Sequence, residues 1–182
     1  MSAGKPAHST FLDRENEMPA FNKFVAALAG NDQPNAAFAA LEALTKDVLG
    51  VKLFTLTASD TTKNASERIY SNMPEVYPAT GTKPYGDALW SDIVLKQRRT
   101  FVANTIADIA EVFADHQLIK SLACGSIINV PIVVDNEVIG TINCLNEAGY
   151  YSQDRLQAAE ALSLPAAACL LLHNNLKKRS RK

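Results

Sequence analysis

SIINVPIVVDNEVIGTINCLNE, residues Ser126 to Glu147, reads as two apolar strands folded back on each other about an Asp135–Asn136 turn. Isoleucine and valine dominate it, as suits a buried sheet, yet it carries Asn129, Thr141 and Asn143. A buried polar side chain costs free energy unless something satisfies it. A two-residue turn sets Val134 against Glu137 and fixes each later pair. Val130 is then expected opposite Thr141, and Ile128 opposite Asn143. Alternation places Ser126, Ile128, Val130, Thr141 and Asn143 on one face, the expected floor of a pocket. Pro131, Val133, Val138, Gly140, Ile142 and Cys144 fall on the other face together with Asn129, to which a structural role is assigned. That second face is expected to receive covering helices, with Gly140 permitting close approach.

Working outward, Phe21, Phe24, Val25 and Leu28 recur at helical spacing before Gly30, and Phe38, Leu41, Leu44 and Val48 do so before Gly50. "VKLFTLTA" and "SERIYSN" predict a strand pair. Met73 to Gly86 is irregular, punctuated by three prolines and two glycines, and aromatic: Tyr77 and Tyr85 lie in it, Tyr70 before it and Trp90 after it. Long loops of this kind form binding walls or lids; the plainer reading has the tyrosines anchoring the loop to the core. Asp87 is the expected cap of a helix reaching Gln97. "TFVANT" reads as a short strand, and "IADIAEVFADHQLIKSL" as a loop holding one short helix capped by Asp115. Ser152 opens a long closing helix with Leu156, Ala159, Leu162 and Ala166 inward, which Pro165 should bend. The expected class is α+β, a mainly antiparallel sheet with helices from both chain ends on one face. The divisions expected are a leader over 1–18, a helical extension over 19–33, a domain over 34–176 and a basic tail over 177–182.

The chain has 182 residues, 47% hydrophobic and 20% charged, enough for one well-filled core. A net charge of −1 offers no general field for nucleic acid or an anionic membrane. No basic-then-apolar leader marks a signal peptide, and no apolar run is long enough to span a bilayer. Three cysteines without paired spacing predict reduced thiols and a cytoplasmic setting, with no metal site.

The stretch Ser126 to Leu172 resembles the C-terminal half of a GAF domain, through Val130-Pro131-Ile132, Val138-Ile139-Gly140 and Tyr151-Ser152 opening a long helix. "ALEALTKDVLGVKLFTLTAS" resembles the first helix and strand of that family, so the likeness covers about residues 34 to 176. It implies a PAS-like plan: a sheet with helices on one side and a small-molecule pocket on the other. It also implies that Asn143 is a polar ligand contact, as in cyclic-nucleotide-binding members, with Thr141 beside it.

Asn104, Thr105 and Asp108 follow a strand where the family's pocket wall begins, although such residues also cap local backbone. His116 follows the capping Asp115 on the short helix; phytochrome-like members of the family have a lid histidine that touches the chromophore, while a lone surface histidine is the plainer reading. Trp90 is weighed as core against stacking platform. Cys124, in "ACGS", is the one candidate nucleophile, since sulfoxide-reducing members of the family use cysteines, but their "HIACD"-type sequence is absent. The expected function is a cytoplasmic small-molecule sensor without a resident cofactor, acting through a protein effector or a homodimer of its terminal helices. A thiol-dependent redox enzyme and a dimerisation module with a vestigial pocket are the alternatives.

Overall fold

The computed structural model describes residues 19–60, 63–85 and 88–180. The expected leader, the capping Asp87 and the last two residues of the basic tail lie outside the described residues. Helices α1 (Pro19–Leu28) and α2 (Asn35–Val48) pack on each other, and α2 buries Ala37, Phe38, Leu41 and Leu44 along one stripe. That stripe stops a turn earlier than its spacing suggests, because Val48 is 41% exposed. Thr45 is tolerated inside because its hydroxyl donates to the Leu41 carbonyl at 2.8 Å. Gly50, at φ +72°, then turns the chain into the sheet.

Six antiparallel strands follow: β1 (Leu53–Asp60), β2 (Ala65–Ser71), β3 (Thr82–Pro84), β4 (Phe101–Ala103), β5 (Ser126–Val134) and β6 (Glu137–Asn146). Their order across the sheet is β3-β2-β1-β6-β5-β4. Strand β3 lies inside the stretch that reads as irregular; its Pro84 is accommodated because β3 is an edge strand. Between strands come α3 (Ala88–Ser91), which runs on as a π-helical turn over Asp92–Lys96, then α4 (Ile106–Val112) and α5 (His116–Ser121). The expected single short helix of this region is therefore two. The closing helix is also two, α6 (Gln153–Glu160) and α7 (Ser163–Arg179), bent by 42° at their junction. Pro165 has no N–H to offer the Ala161 carbonyl, so the expected bend takes the form of a break one turn upstream. Among the described residues no single helix is long and apolar enough to cross a membrane.

The terminal helices cover one sheet face. Their Phe38, Leu41, Leu162, Ala166 and Leu170 close over Phe54, Leu56, Ile128, Val130, Ile132, Ile142 and Cys144. A second core on the opposite face joins Leu53, Ile127 and Leu145 to Val94, Phe101, Ile109 and Ile119. The α+β class and the one-sided helical cover are as the element order predicts.

The hairpin departs from its expected register at one point. Asp135 and Asn136 have φ of 50° and 64°, both left-handed, which makes the turn a type I′. Val134 faces Glu137 and Val133 faces Val138, but Ile132 then faces Gly140, so Ile139 is an extra residue on β6. Beyond this bulge Val130 pairs with Ile142, and Asn129 with Asn143. A one-residue slip exchanges the faces of one strand relative to the other. Strand β6 keeps its expected faces, whereas β5 is reversed. Ile128 and Val130 point into the helices, and Asn129 joins Thr141 and Asn143 on the opposite side.

Candidate functional site

The alternation in "LFTLTA" sends Phe54 and Leu56 to the helices and Thr55 and Thr57 to the other face. Four neighbouring strands therefore bring hydroxyls and amides together on that face: Thr55 and Thr57 from β1, Ser66 from β2, Thr141 and Asn143 from β6, and Asn129 from β5. A cavity of about 540 Å³ lies over them. One wall is formed by Tyr77, Thr80 to Thr82, Pro84, Tyr85 and Trp90, and the opposite wall is Val112 to Asp115 with Ile119.

The polar floor is a connected network. Thr141 donates its hydroxyl to Asn143 Oδ1 at 2.9 Å, so across the 2.6 Å Thr57–Thr141 contact the proton comes from Thr57. Asn129 Nδ2 also donates to Asn143 Oδ1, at 2.7 Å, and Asn143 Nδ2 donates to Thr55 Oγ1 at 3.1 Å. Trp90 Nε1 donates to Asn129 Oδ1 at 2.9 Å, tying the wall to the floor. The polar residues of the hairpin are thus satisfied first by one another, and Asn143 is the hub. Trp90 stacks on Tyr85, their ring centroids 6.1 Å apart.

The other side of the cavity is charged. The Arg68 guanidinium lies over the Tyr77 ring, 4.5 Å from its centroid, and donates through one Nη to the Pro78 carbonyl at 3.1 Å. The Tyr77 hydroxyl donates to the Asp115 carboxylate. Burial, and next the hydrogen bond to Asp115, push the Tyr77 phenol well above the usual tyrosine range, so it stays protonated as that donor. Asp115 stands at the N-cap of α5 but makes no side-chain cap bond there; its carboxylate is turned to Tyr77 instead.

Of the residues singled out from the sequence, Asn143, Thr141, Tyr77, Tyr85 and Trp90 line this cavity. The others do not. Ile128 and Val130 belong to the helix-side core, for the register reason above. Ser126 is fully buried and donates to the Glu147 carbonyl at 2.6 Å. Tyr70 faces the helices, between Phe38 and Phe54, and donates to Glu42. Asn104 clamps the Tyr151 backbone through bonds of 3.0 and 3.2 Å. Thr105 caps α4 by accepting from the Asp108 N–H at 3.1 Å, which accounts for both residues. His116 has its Nδ1 3.1 Å from the Phe113 carbonyl oxygen. Thr55, Thr57, Ser66 and Arg68 also line the cavity without having been singled out from the sequence, as do Asn129, expected on the other face in a structural role, and Asp115, expected only as a helix cap. The threonines carried a signal in their alternation with Phe54 and Leu56; Arg68 and Asp115 carried none.

Cys124 is 4% exposed, does not line the cavity, and has its Sγ 3.7 Å from the Leu122 carbonyl oxygen. Burial raises its pKa, against a smaller opposing effect of Lys52. Cys144 and Cys169 are buried too, on the helix side. Among the described residues no cluster of histidine, cysteine and acidic side chains is placed to hold a metal ion.

A family model for the GAF domain matches residues 35–170. A comparison with curated protein sequences finds no match. Solved structures resemble the fold. The GAF domain of an Acinetobacter phosphoenolpyruvate-protein phosphotransferase superposes with a TM-score of 0.68 at 13% identity, covering 89% of this chain and 97% of that one. The free methionine-R-sulfoxide reductase of Neisseria meningitidis, in complex with its substrate, gives 0.65 at 15% identity, covering 97% and 99%. The GAF domain of a Bacillus halodurans two-component sensor histidine kinase gives 0.57 at 18%, covering 78% and 98%.

Proposed function

The chain belongs to the GAF domain family, and on that footing we propose that it is a sensor whose cavity over the Thr55–Asn143 floor binds a small molecule. The observation that carries this reading is the form of the cavity: a networked polar floor, an aromatic wall tied to it by Trp90, and a size suited to a metabolite. Binding there would be felt along the Tyr77–Trp90 wall and passed on by a protein effector or a change in a homodimer. Val25 of α1 and Leu164 and Leu171 of α7 are 50%, 75% and 49% exposed, which supports self-association through these helices. Sedimentation of the full chain is expected to give a dimer at about 10 µM, an ordinary affinity for such contacts, and Leu164→Glu a monomer. A monomeric parent protein would remove the dimer route.

The likeness to the Neisseria reductase raises the enzyme reading, but the thiol chemistry does not favour it. A nucleophilic cysteine needs its thiolate favoured and its sulfur in reach of substrate; Cys124 is buried outside the cavity with its pKa raised. The test is a thermal-shift screen of small metabolites on the parent protein and on Cys124→Ser. Ligands that stabilise both equally are expected, and the substitution itself should cost less than about 1 kcal/mol, since the thiol makes one weak hydrogen bond. Sulfoxide reduction by the parent that disappears in Cys124→Ser would overturn the sensor reading.

A further inference from the structure

We propose that the ligand of this cavity is an amino-acid-like zwitterion, its anionic group held by Arg68 and its cationic group by Asp115. The inference rests on the small-molecule reading of the cavity and adds the class of molecule. Both residues line the cavity. Each keeps one buried polar atom without a hydrogen-bond partner, Nε of Arg68 and Oδ1 of Asp115. Nor does either form an ion pair among the described residues.

Tyr77 holds the two charges apart. Its ring lies under the guanidinium and its hydroxyl occupies the other oxygen of Asp115. What remains is complementary in kind. Arg68 can only donate, and its Nε edge matches a carboxylate; Asp115 Oδ1 can only accept, and an ammonium is the donor it lacks. A buried polar atom of a charged side chain that lacks a hydrogen-bond partner is costly even where the rest of the group is satisfied. A simple anion would satisfy Arg68 and leave Asp115 unrelieved, and a simple cation would do the reverse. The two protein charges cancel, so a ligand of zero net charge carrying both signs leaves neither uncompensated. Its carbon chain would run between them against Tyr85, Trp90, Val112 and Ile119.

Trp90, the only tryptophan in the chain, donates its indole N–H to Asn129 in the cavity floor, which makes that proton a reporter of binding. The full chain, labelled with nitrogen-15, is titrated with five probes of one chain length: 5-aminopentanoate, norvaline, pentanoate, pentylamine and pentanamide. At least one of the two zwitterions is expected to shift the indole signal saturably, about tenfold or more tighter than the three others. Arg68→Gln and Asp115→Asn should each weaken it about tenfold, the loss of one charge-assisted contact, with the amide spectrum reporting that each variant is folded. Asp115→Asn should also bring pentanoate closer to the zwitterion in affinity. A tie between a singly charged or neutral probe and the zwitterions, or zwitterion binding unchanged in both variants, overturns the proposal and leaves the sensor reading standing. Silence from both zwitterions at about 50 mM, far above any specific affinity, overturns it as well. The sensor reading falls separately, if no metabolite of the thermal-shift screen moves the indole signal.

Discussion

Gly140→Ala is expected to cost about 3 kcal/mol or more, at the upper end of what overpacking a core does. A methyl carbon built on Gly140 would stand 2.2 Å from the Thr57 carbonyl oxygen and 2.8 and 3.0 Å from the two methyl carbons of Leu170. The backbone of Gly140 is not left-handed, so space alone is at issue. Leucine methyls can shift, but the carbonyl belongs to the central strand β1, fixed between β2 and β6. The double variant Gly140→Ala/Leu170→Ala separates the two contacts. Removing the leucine side chain relieves one clash and leaves the other, so it should not restore stability. Denaturant unfolding of the three variants measures this; a double variant as stable as Leu170→Ala alone would show that the carbonyl contact is harmless.

Asn143→Ala is expected to lower stability by about 2 kcal/mol, within the range for leaving buried hydrogen-bond partners unsatisfied. The asparagine accepts from Asn129 and Thr141 and donates to Thr55, so its loss strands groups on three strands at once. Asn129 is 2% exposed and holds Trp90 in place, so the effect should reach the cavity wall. The Trp90 indole proton should therefore move or broaden in the variant without any ligand, while Thr141→Val, which keeps the Asn129–Asn143–Thr55 chain, should disturb it less. An unchanged indole signal together with unchanged stability would mean that the network is not what orders this wall. A residue expected from sequence to meet a ligand thus has a first duty to the protein, and its substitution weakens binding partly by loosening the site.

Several parts of this molecule are legible in its residues because they depend on short-range periodicity. The strand character of Ser126 to Glu147, the turn at Asp135–Asn136, the threonines of "LFTLTA" and the helix stripe of Phe38, Leu41 and Leu44 each need only a few neighbouring positions. So does the α+β class, which follows from the order of such elements. The bulge at Ile139 is different. It is one extra residue in an otherwise regular strand, set beside Gly140 where β1 and α7 crowd in. Without it Ile128 and Val130 would floor the cavity; with it they enter the helical core and Asn129 takes their side. The contact of Arg68, Tyr77 and Asp115 draws on β2, the irregular segment after it and the turn before α5, with no spacing in the chain to announce it. Sequence alone determined the apolar side of elements such as β6 and most of α2, because burial acts on every residue through its own side chain. Tertiary structure decided the register and the charged wall, because both depend on which distant groups meet once the sheet has closed.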